Sequence, residues 1–574
     1  MTPTLAGVPD AVARFVPPRA ARALVLAGAA ASIGSTFLPW TWTSEFPGDL
    51  TVTGYPGGNQ LITLALGACT LLAGAASLRP SRTRWTPLLR GLALAQFAST
   101  WYVLLAIAFE LGGLVNWVAG TVVALVAVAL PLVGALALPD DDDPERSDGR
   151  TFGRPVEIAV LFVLTFAAML MVGYGLATEH TEQFVGFVLA VGFAAWGLNR
   201  GGLLEHVSAM AARNRTATAL AALAAAVAFA FVQNDPAHMT LAANVLIFGA
   251  VALGLNIVVG LSGLLDLGYV AFLGVGAYVA ALVSGSVYSR YTGAPLPFWA
   301  AVAIGIAVAI VAGVLIGAPT LRVRGDYLAI VTLGFGEIFR ITANNLDGVS
   351  GPRLTNGPNG VPGVPDLSIF GYDFGEPHTI LGVTLGRFSN YYLLLVAVVA
   401  ICVFVYARVD RSRIGRAWAA IREDETAASA MGVNGFRYKL LAFALGAALA
   451  GLAGTVQAHV TTTVTPDQYK FLATAPPNSA FLLAAVVLGG MGTISGPLLG
   501  GALLYVIPEK FEFFDDKQLL LFGLTMILMM RLRPEGIVPD RRHRLEFHER
   551  EIAESEGRRT AARPPKAADA GAAT

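Results

Sequence analysis

Charged side chains are scarce in this sequence. Asp, Glu, Lys and Arg make up 14% of its 574 residues, against about 25% in a soluble globular protein, and 55% of the residues are hydrophobic. The apolar residues form blocks that match the roughly 20 residues a helix needs to cross a bilayer. These blocks are apolar on every side, unlike the one-sided stripe of a soluble core helix. The sequence therefore predicts an all-α protein with many membrane-spanning helices.

Patterns for enzymatic chemistry are also lacking. Cysteine occurs only at positions 69 and 402, inside apolar runs, and offers neither a disulfide framework nor metal-ligand spacing. No lysine follows a glycine, so the chain lacks the phosphate-binding loop of ATPases. Basic and acidic residues balance at 39 each, which gives no electrostatic reason to expect nucleic acid. We expect no catalytic residues, no cofactor and no metal.

The connecting loops predict the orientation of the helices, because short cytoplasmic loops carry an excess of Lys and Arg. Arg14, Arg19 and Arg22 precede the first apolar block, and Arg residues recur in every second loop after it. We therefore expect both termini in the cytoplasm. The predicted spans are 22–38, 61–78, 88–109, 114–138, 156–177, 184–198, 217–233, 241–259, 264–283, 298–318, 327–345, 391–407, 440–458 and 519–533.

Glycine clusters predict breaks in two apolar regions. The middle of segment 481–508 contains Gly489, Gly490, Gly492, Gly496 and Pro497. Two halves of about 12 residues reach only some 18 Å each, so we expect this segment to be broken and to fold back toward the side it entered from. Gly260 and Gly263 predict another break, earlier in the chain, of the kind that lines a cavity in transporters.

Polar residues inside the apolar blocks need an explanation, because a charge at the bilayer centre costs at least about 2.5–3.5 kcal/mol. Asp266 and the less polar Asn256 flank the break at Gly260, and either could cap a half-helix or line a passage for substrate. Glu337 either contacts substrate or is neutralised by Arg340, three residues later on the same helix face.

Loop 408–439 is long, basic and predicted to be cytoplasmic. Trp418, Ile421, Ala428 and Met431 are spaced along one face of a predicted short helix, and Gly432 provides a C-terminal stop. The helix could lie in the membrane interface or dock a cytoplasmic partner with an apolar knob and a charged rim. The candidate docking residues are Arg416, Trp418, Ile421, Arg422, Glu425, Ala427, Ala428, Met431 and Gly432. Of these, Trp418, Ile421 and Met431 are the expected knob, and Arg422 and Glu425 the expected rim contacts.

This loop resembles the coupling loop of ATP-binding-cassette (ABC) importer permeases, whose signature is Glu-Ala-Ala, three residues, then Gly. Ala427, Ala428 and Gly432 fit, although Thr426 separates Glu425 from the alanine pair. Three further motifs resemble the LivM-type branched-chain amino acid permeases: Leu253–Phe272, Leu321–Glu337 and Val487–Pro497. The resemblance covers roughly 217–535, whereas no counterpart is evident for 1–200.

The resemblance implies a permease core at 217–535 in the inner membrane of a bacterium. It also implies a branched-chain amino acid substrate and several partners: a homologous second permease, two cytoplasmic ATPase subunits and an extracytoplasmic substrate-binding protein. We expect the outer loop 346–390, rich in Pro and Gly, to help receive the binding protein. To this core we expect the sequence to add about six spans in 1–200, a basic linker at 201–216 and a disordered tail at 536–574. Urea permeases resemble the same family, so cargo stays open. A gradient-driven secondary transporter or a membrane scaffold explains the breaks and the loop less well.

Overall fold

The part of the chain that the structure describes is mostly helical. The computed structural model describes residues 12, 14–42, 50–52, 57–78, 84–140, 153–178, 180–289, 296–320, 326–472, 478–511 and 517–539. Among these residues, 10 helices are long and apolar enough to cross a membrane. The prediction of an all-α polytopic membrane protein is therefore confirmed. Residues 540–574, most of the tail predicted to be disordered, lie outside the described residues.

Two compact units divide the chain. The first comprises residues Met1–Asn244, Phe374–Ala400 and Val506–Gln518. Its complete helices are α1 (Pro18–Ser35), α2 (Asn59–Ala76), α3 (Trp85–Glu110), α4 (Ala119–Ala137), α5 (Arg154–Ala177), α6 (Thr181–Arg200), α7 (Leu203–Arg213) and α8 (Arg215–Val232). The start of α9 (Pro236–Asn256) belongs to the same unit.

Small residues allow the helices of the first unit to pack at short distances. A Cβ on Gly28 of α1 would lie 2.5 Å from the ring of Pro131 in α4. A Cβ on Gly91 of α3 would lie 2.1 Å from the Cα of Gly197 in α6. Van der Waals packing of this kind drives helix association in lipid, where no hydrophobic force acts between helices.

The second unit comprises Val245–Asp373, Ile401–Tyr505 and Leu519–Thr574. After α9 come a π-helical turn (Ile257–Leu261), α10 (Val270–Val283), α11 (Phe298–Thr320), α12 (Asp326–Asn345), α13 (Arg387–Asp410), α14 (Arg413–Glu423), α15 (Glu425–Ala430), α16 (Gly435–Thr461), α17 (Ser479–Gly489), α18 (Ser495–Lys510) and α19 (Gln518–Leu532). Helices α13 and α18 begin or end in the first unit. Helix α16 packs against both α10 and α11 and forms the centre of this unit.

The strands are short antiparallel pairs. They are β1 (Val361–Pro362), β2 (Ser368–Ile369), β3 (Tyr372–Asp373), β4 (His378–Ile380), β5 (Val383–Leu385) and β6 (Thr463–Val464). The pairs are β1 with β6, β2 with β3, and β4 with β5. All but β6 lie in the segment between α12 and α13, the predicted outer loop 346–390.

Several predicted span boundaries are wrong. Helix α10 begins at Val270 rather than at 264; Gly263, with φ +73°, ends the preceding helical turn, and residues 264–269 are not helical. A short 3₁₀ turn at Leu114–Asn116 precedes α4, which begins at Ala119 rather than at 114. The predicted linker 201–216 contains a regular helix, α7.

Candidate functional site

Loop 408–439 folds into two helices rather than one. Ser412 caps α14 by accepting hydrogen bonds from the backbone N–H groups of Ile414 and Gly415 at 3.0 and 3.3 Å. At Asp424 the chain becomes extended, with φ −152° and ψ 106°. The Asp424 carboxylate then caps α15 through Thr426 N and Ala427 N, at 2.8 and 3.0 Å. Asp is a strong N-cap, so it starts a new helix here instead of continuing the old one.

The predicted apolar face divides between the protein interior and the surface. Trp418 is fully buried, and its indole N–H donates to the carbonyl oxygen of Tyr438 at 2.7 Å. Ile421 and Ala428 are each only 6% exposed, whereas Met431 is 86% exposed. The prediction that Trp418 and Ile421 form a projecting knob is therefore wrong, because their side chains attach the loop to the rest of its unit. Of these four side chains, only Met431 projects.

The end of the loop is held in one conformation. Gly432 has φ +89°, and its N–H donates to Ser429 O at 3.0 Å while Val433 N donates to Ala428 O at 3.0 Å. This pair of bonds is the Schellman motif, which ends a helix at a left-handed glycine. The carboxylate of Glu425 pairs with Lys439 Nζ at 2.7 Å and so connects α15 to the start of α16.

Arg416 and Ala427 complete the predicted docking residues, and both are exposed. The guanidinium of Arg416 donates to Arg411 O at 3.4 Å, a contact within the loop. Like Met431, these two residues are on the exposed surface of the loop.

The first interruption begins where α9 ends at Asn256. The chain widens into the π-helical turn Ile257–Leu261 and then reverses at Gly263. A Cβ on Gly260 would lie 2.0 Å from Asn256 Oδ1 and 2.6 Å from Gly492 N. Only glycine therefore fits at position 260, where the first interruption meets the second.

The second interruption is a hairpin of two half-helices. A Cβ on Gly489 in α17 would lie 1.9 Å from Gly496 O, and one on Gly500 would lie 2.1 Å from Ala485 O. This pairing runs in opposite directions along α17 and α18, so the segment folds back on itself. Helix α17 has 11 residues, or about 16 Å, which is too short to cross a bilayer.

The turn of this hairpin has a well-defined structure. Gly490 and Gly492 have φ +121° and +78°. Thr493 Oγ1 donates to Gly490 O at 2.9 Å and accepts from Gly496 N at 3.0 Å. Pro497 lies in the first turn of α18, where its missing N–H leaves no helical hydrogen bond unmade.

Asn256 joins the two interruptions. Its amide nitrogen donates to Thr493 O at 2.7 Å and to the Tyr406 hydroxyl at 3.0 Å. Its amide oxygen accepts from Gly492 N at 2.9 Å. Asn256 is fully buried, and both its donor and its acceptor atoms are used. We call residues 256–263 and 489–497, joined in this way, the helix-break junction.

Arg422 connects loop 408–439 to the helix-break junction. Its Nη1 donates to Gly260 O at 2.7 Å. A Cβ on Gly263 would lie 2.8 Å from Arg422 Cγ, so the stem of the arginine lies over that glycine. The guanidinium group thus bonds within its own unit, while Arg422 as a residue is exposed, so the rim contact to a partner stays a prediction.

Asp266 lies in the non-helical segment that precedes α10. Its Oδ1 accepts from Gly268 N at 2.9 Å, and it is 1% exposed. Thr332 of α12 accepts from the neighbouring Leu267 N at 3.0 Å. Among the described residues, Asp266 Oδ2 has no hydrogen-bond partner. Asp266 therefore does not cap α10, whose N-cap is Tyr269; it closes a side-chain turn onto Gly268 and has one oxygen left over.

Glu337 forms an ion pair with Arg340, whose Nη1 lies 3.7 Å from Asp467 Oδ1. The side chain of Glu337 is 45% exposed. Its charge is balanced within the unit, as the structural interpretation of the i,i+3 spacing suggests.

Two residues of the candidate site, Tyr406 and Lys439, have no strong signal in the sequence. The Tyr406 hydroxyl accepts a hydrogen bond from Asn256, and the only sequence feature that indicates such a role is a hydroxyl near the end of an apolar helix. Lys439 neutralises Glu425 from 14 positions away along the chain. In the part of the chain that the structure describes, no group of three or more His, Cys, Asp or Glu side chains could hold a metal ion.

Comparison with known proteins identifies the family. The family model described as the permease component of the branched-chain amino acid transport system matches residues 237–530. The chain belongs to this family. The matched residues include the helix-break junction and loop 408–439, and the family resemblance predicted from the sequence is confirmed.

Individual relatives agree with the family. The permease is 41% identical over 321 residues to the high-affinity branched-chain amino acid transport system permease protein LivM of Salmonella typhimurium, covering 54% of this chain and 71% of the relative. LivM of Escherichia coli gives the same values. The LivH permease protein of Escherichia coli is 32% identical over 145 residues, which cover 25% of this chain and 44% of the relative. No solved structure matches the chain.

Proposed function

We propose that this permease is the membrane subunit of an ATP-driven importer of branched-chain amino acids, operating by alternating access. A substrate-binding protein delivers leucine, isoleucine or valine from outside, and two cytoplasmic ATPase subunits supply the energy. The names of the relatives support the substrate class. The similarity to both LivM and LivH supports pairing with a second, homologous permease.

The form of loop 408–439 carries this proposal. Both of its helices are capped, Gly432 fixes its end, and Glu425 is paired with Lys439. The loop therefore presents Met431 on a rigid support, and Arg416 and Ala427 are exposed on the same loop. An unbranched methionine adapts to an irregular apolar pocket. A rigid loop with an adaptable side chain at its tip can transmit the movement of an ATPase subunit to the permease.

The buried part of the loop completes the argument. A helix that merely lay in the membrane interface would turn its apolar side chains to lipid. Trp418 and Ile421 instead face the protein interior, so movement of the loop must move the unit that holds them.

The helix-break junction suits the passage for substrate. Interrupted helices near the bilayer centre are where transporters place their binding sites. Asn256 and Asp266 lie at this interruption, but their hydrogen bonds favour structural roles for both. Glu337, balanced by Arg340, receives the same interpretation.

We propose that the N-terminal residues, 1–200, support the permease core through their contacts with the end of α18. Lys510, at the end of α18, donates to Leu176 O and Thr178 O at 2.7 and 2.6 Å. These carbonyls lie at the C-terminal end of α5, where a cation is favourable. Phe511 packs edge-on against Phe184 of α6, with ring centroids 5.6 Å apart. Residues beyond the family match thus connect to the end of a core helix within one unit.

The test is uptake of labelled leucine into vesicles that contain the permease with its candidate second permease, ATPase and binding protein. Ion gradients are collapsed with ionophores, and ATP is the only energy source. We expect accumulation that disappears when the ATPase subunits are omitted. Uptake that needs a gradient and no ATPase would show a secondary transporter. Accumulation of urea with no leucine would support an ATP-driven importer whose substrate is urea rather than a branched-chain amino acid.

A further inference from the structure

Arg422 contacts the first helix interruption at two points. Its guanidinium donates to the carbonyl oxygen of Gly260 at 2.7 Å. Its side-chain stem covers Gly263, where a Cβ would lie 2.8 Å from Arg422 Cγ. Gly260 and Gly263, which are predicted to break the helix, thus also contact Arg422, more than 150 positions away along the chain.

The carbonyl of Gly260 lies at a helix end. The last backbone bonds of the π-helical turn run from Ser262 N to Ile257 O, from Gly263 N to Val259 O and from Leu264 N to Val258 O, at 3.2, 3.2 and 3.0 Å. The carbonyl of Gly260 comes next, past the end of this ladder, and needs a donor from elsewhere. A guanidinium group provides a charge-assisted bond, and its positive charge is favoured at the C-terminal end of a helix.

Gly260 in turn touches the second interruption. Its Cα lies so close to Asn256 Oδ1 and Gly492 N that no side chain fits between them. Asn256 then bonds Gly492 N at 2.9 Å and Thr493 O at 2.7 Å. An unbroken series of contacts therefore runs from α14 through Arg422 to both broken segments.

We propose that Arg422 is a positioning residue that holds loop 408–439 on the helix-break junction throughout transport. Movement of the loop is then carried directly to the interrupted helices. This inference rests on the proposed function, because it assigns a route to the coupling that an ATP-driven importer needs. It also gives a reason for glycine at position 263 beyond its φ of +73°.

The first test compares Arg422→Ala and Arg422→Lys in the reconstituted complex. The readout is leucine accumulated per ATP hydrolysed, because a loss of fold alone would lower both quantities together. We expect Arg422→Ala to lower this ratio about tenfold, as loss of one charge-assisted hydrogen bond would. Lysine keeps the charge but not the planar fork, so Arg422→Lys should retain part of the ratio. Arg413→Ala removes a positive charge from the same helix and should leave the ratio unchanged.

The second test replaces the contact of Arg422 with the first interruption by a disulfide bond. The Cβ of Arg422 lies 3.3 Å from the Cβ position of Gly263, close to the 3.5–4.5 Å of a disulfide. The pair Arg422→Cys with Gly263→Cys is made in a background with Cys69→Ser and Cys402→Ala. Reduced, this protein should be as uncoupled as Arg422→Ala. Oxidised with copper phenanthroline, it should regain coupling, and dithiothreitol should remove it again. Gly263→Cys alone measures the cost of a side chain at that position.

The outcomes separate this inference from the proposed function. If Arg422→Ala couples normally, or if the disulfide stops transport that the reduced protein performs, Arg422 does not hold the loop through the cycle. If the unaltered complex accumulates no leucine with ATP, the proposed function itself fails, and the ratio has no meaning.

Discussion

Gly489 and Gly496 face each other across the hairpin of α17 and α18, with no room for a side chain between them. A Cβ on Gly489 would lie 1.9 Å from Gly496 O. The neighbouring Gly490 is equally confined, because a Cβ there would lie 2.1 Å from Val538 O. Ile537 N donates to Leu488 O at 2.8 Å, so the chain after α19 returns to the end of α17. Short half-helices can be stable here because their ends are covered by backbone.

This relationship predicts that Gly489→Ala destabilises the permease. The added methyl must push apart two backbone segments, which costs about 1–3 kcal/mol in a packed interior. Thermal unfolding in detergent measures the change. The matched control is Gly192→Ala in α6, where no atom lies within 4 Å of the added Cβ. Alanine is the better helix former, so the control should be neutral or slightly stabilising. Equal melting temperatures for the two variants would contradict the hairpin packing.

Asn256 provides the second prediction, an order of severity among three variants. Tyr406→Phe removes one bond to the Asn256 amide and should cost about 1 kcal/mol. Asn256→Ala removes the junction between the interruptions and should cost more. Asn256→Asp should cost most, because it places a buried acceptor opposite Thr493 O in place of a donor. Unfolding in denaturant ranks the three. If Asn256→Asp were the mildest, Asn256 would not hold the junction.

The sequence predicts the fold class and the family, because both depend on local patterns. Apolar blocks of span length and glycine clusters at 489–497 are visible in the chain itself. A helix start at Asp424 also has a sequence signal, since an Asp N-cap followed by Glu425 in the first turn favours a new helix, but the spacing of apolar residues predicts one helix. Local hydrogen bonding prevailed over periodicity.

The sequence does not predict which side chains the fold uses internally. Trp418 and Met431 belong to the same apolar pattern, yet one is fully buried and the other is 86% exposed. Arg422 is one of many arginines in a basic loop, and its bond to Gly260 joins residues far apart in the chain. Only the tertiary fold decides between such contacts and a partner.

Asp266 gives the third prediction, and it decides between a structural role and a role in the passage for substrate. In the turn before α10, Asp266 needs an oxygen that accepts from Gly268 N. Asn retains that oxygen and forms the same side-chain turn. We therefore expect Asp266→Asn to keep leucine uptake within about twofold, whereas Asp266→Ala lowers thermal stability by roughly 1 kcal/mol. If Asp266→Asn abolishes uptake while the protein melts normally, the carboxylate serves the substrate's ammonium group instead.

Lys510 gives the fourth prediction, which concerns the N-terminal residues. Replacing it by Met keeps the length of the side chain and removes the donors to Leu176 O and Thr178 O. Because helix-end carbonyls then lose their partners, amide hydrogen exchange should rise at the end of α5 and the start of α6. Lys517→Met, which removes an exposed lysine a few residues later, is the control. Unchanged exchange at residues 174–184 would rule out Lys510 as an anchor for this region.

Met431 gives the last prediction, which tests docking without transport. Its side chain is 86% exposed at the tip of a capped loop, so Met431→Asp should leave folding intact. A charge in an apolar pocket of the partner would be desolvated without a counter-ion, so binding of the ATPase subunits should weaken by at least about tenfold. Co-purification of the ATPase in detergent measures binding separately from uptake. The matched control is Val349→Asp in the predicted outer loop, where the side chain is 92% exposed. If both variants retain the ATPase equally, Met431 is not the docking contact, and the exposed residues Arg416 and Ala427 become the next to test.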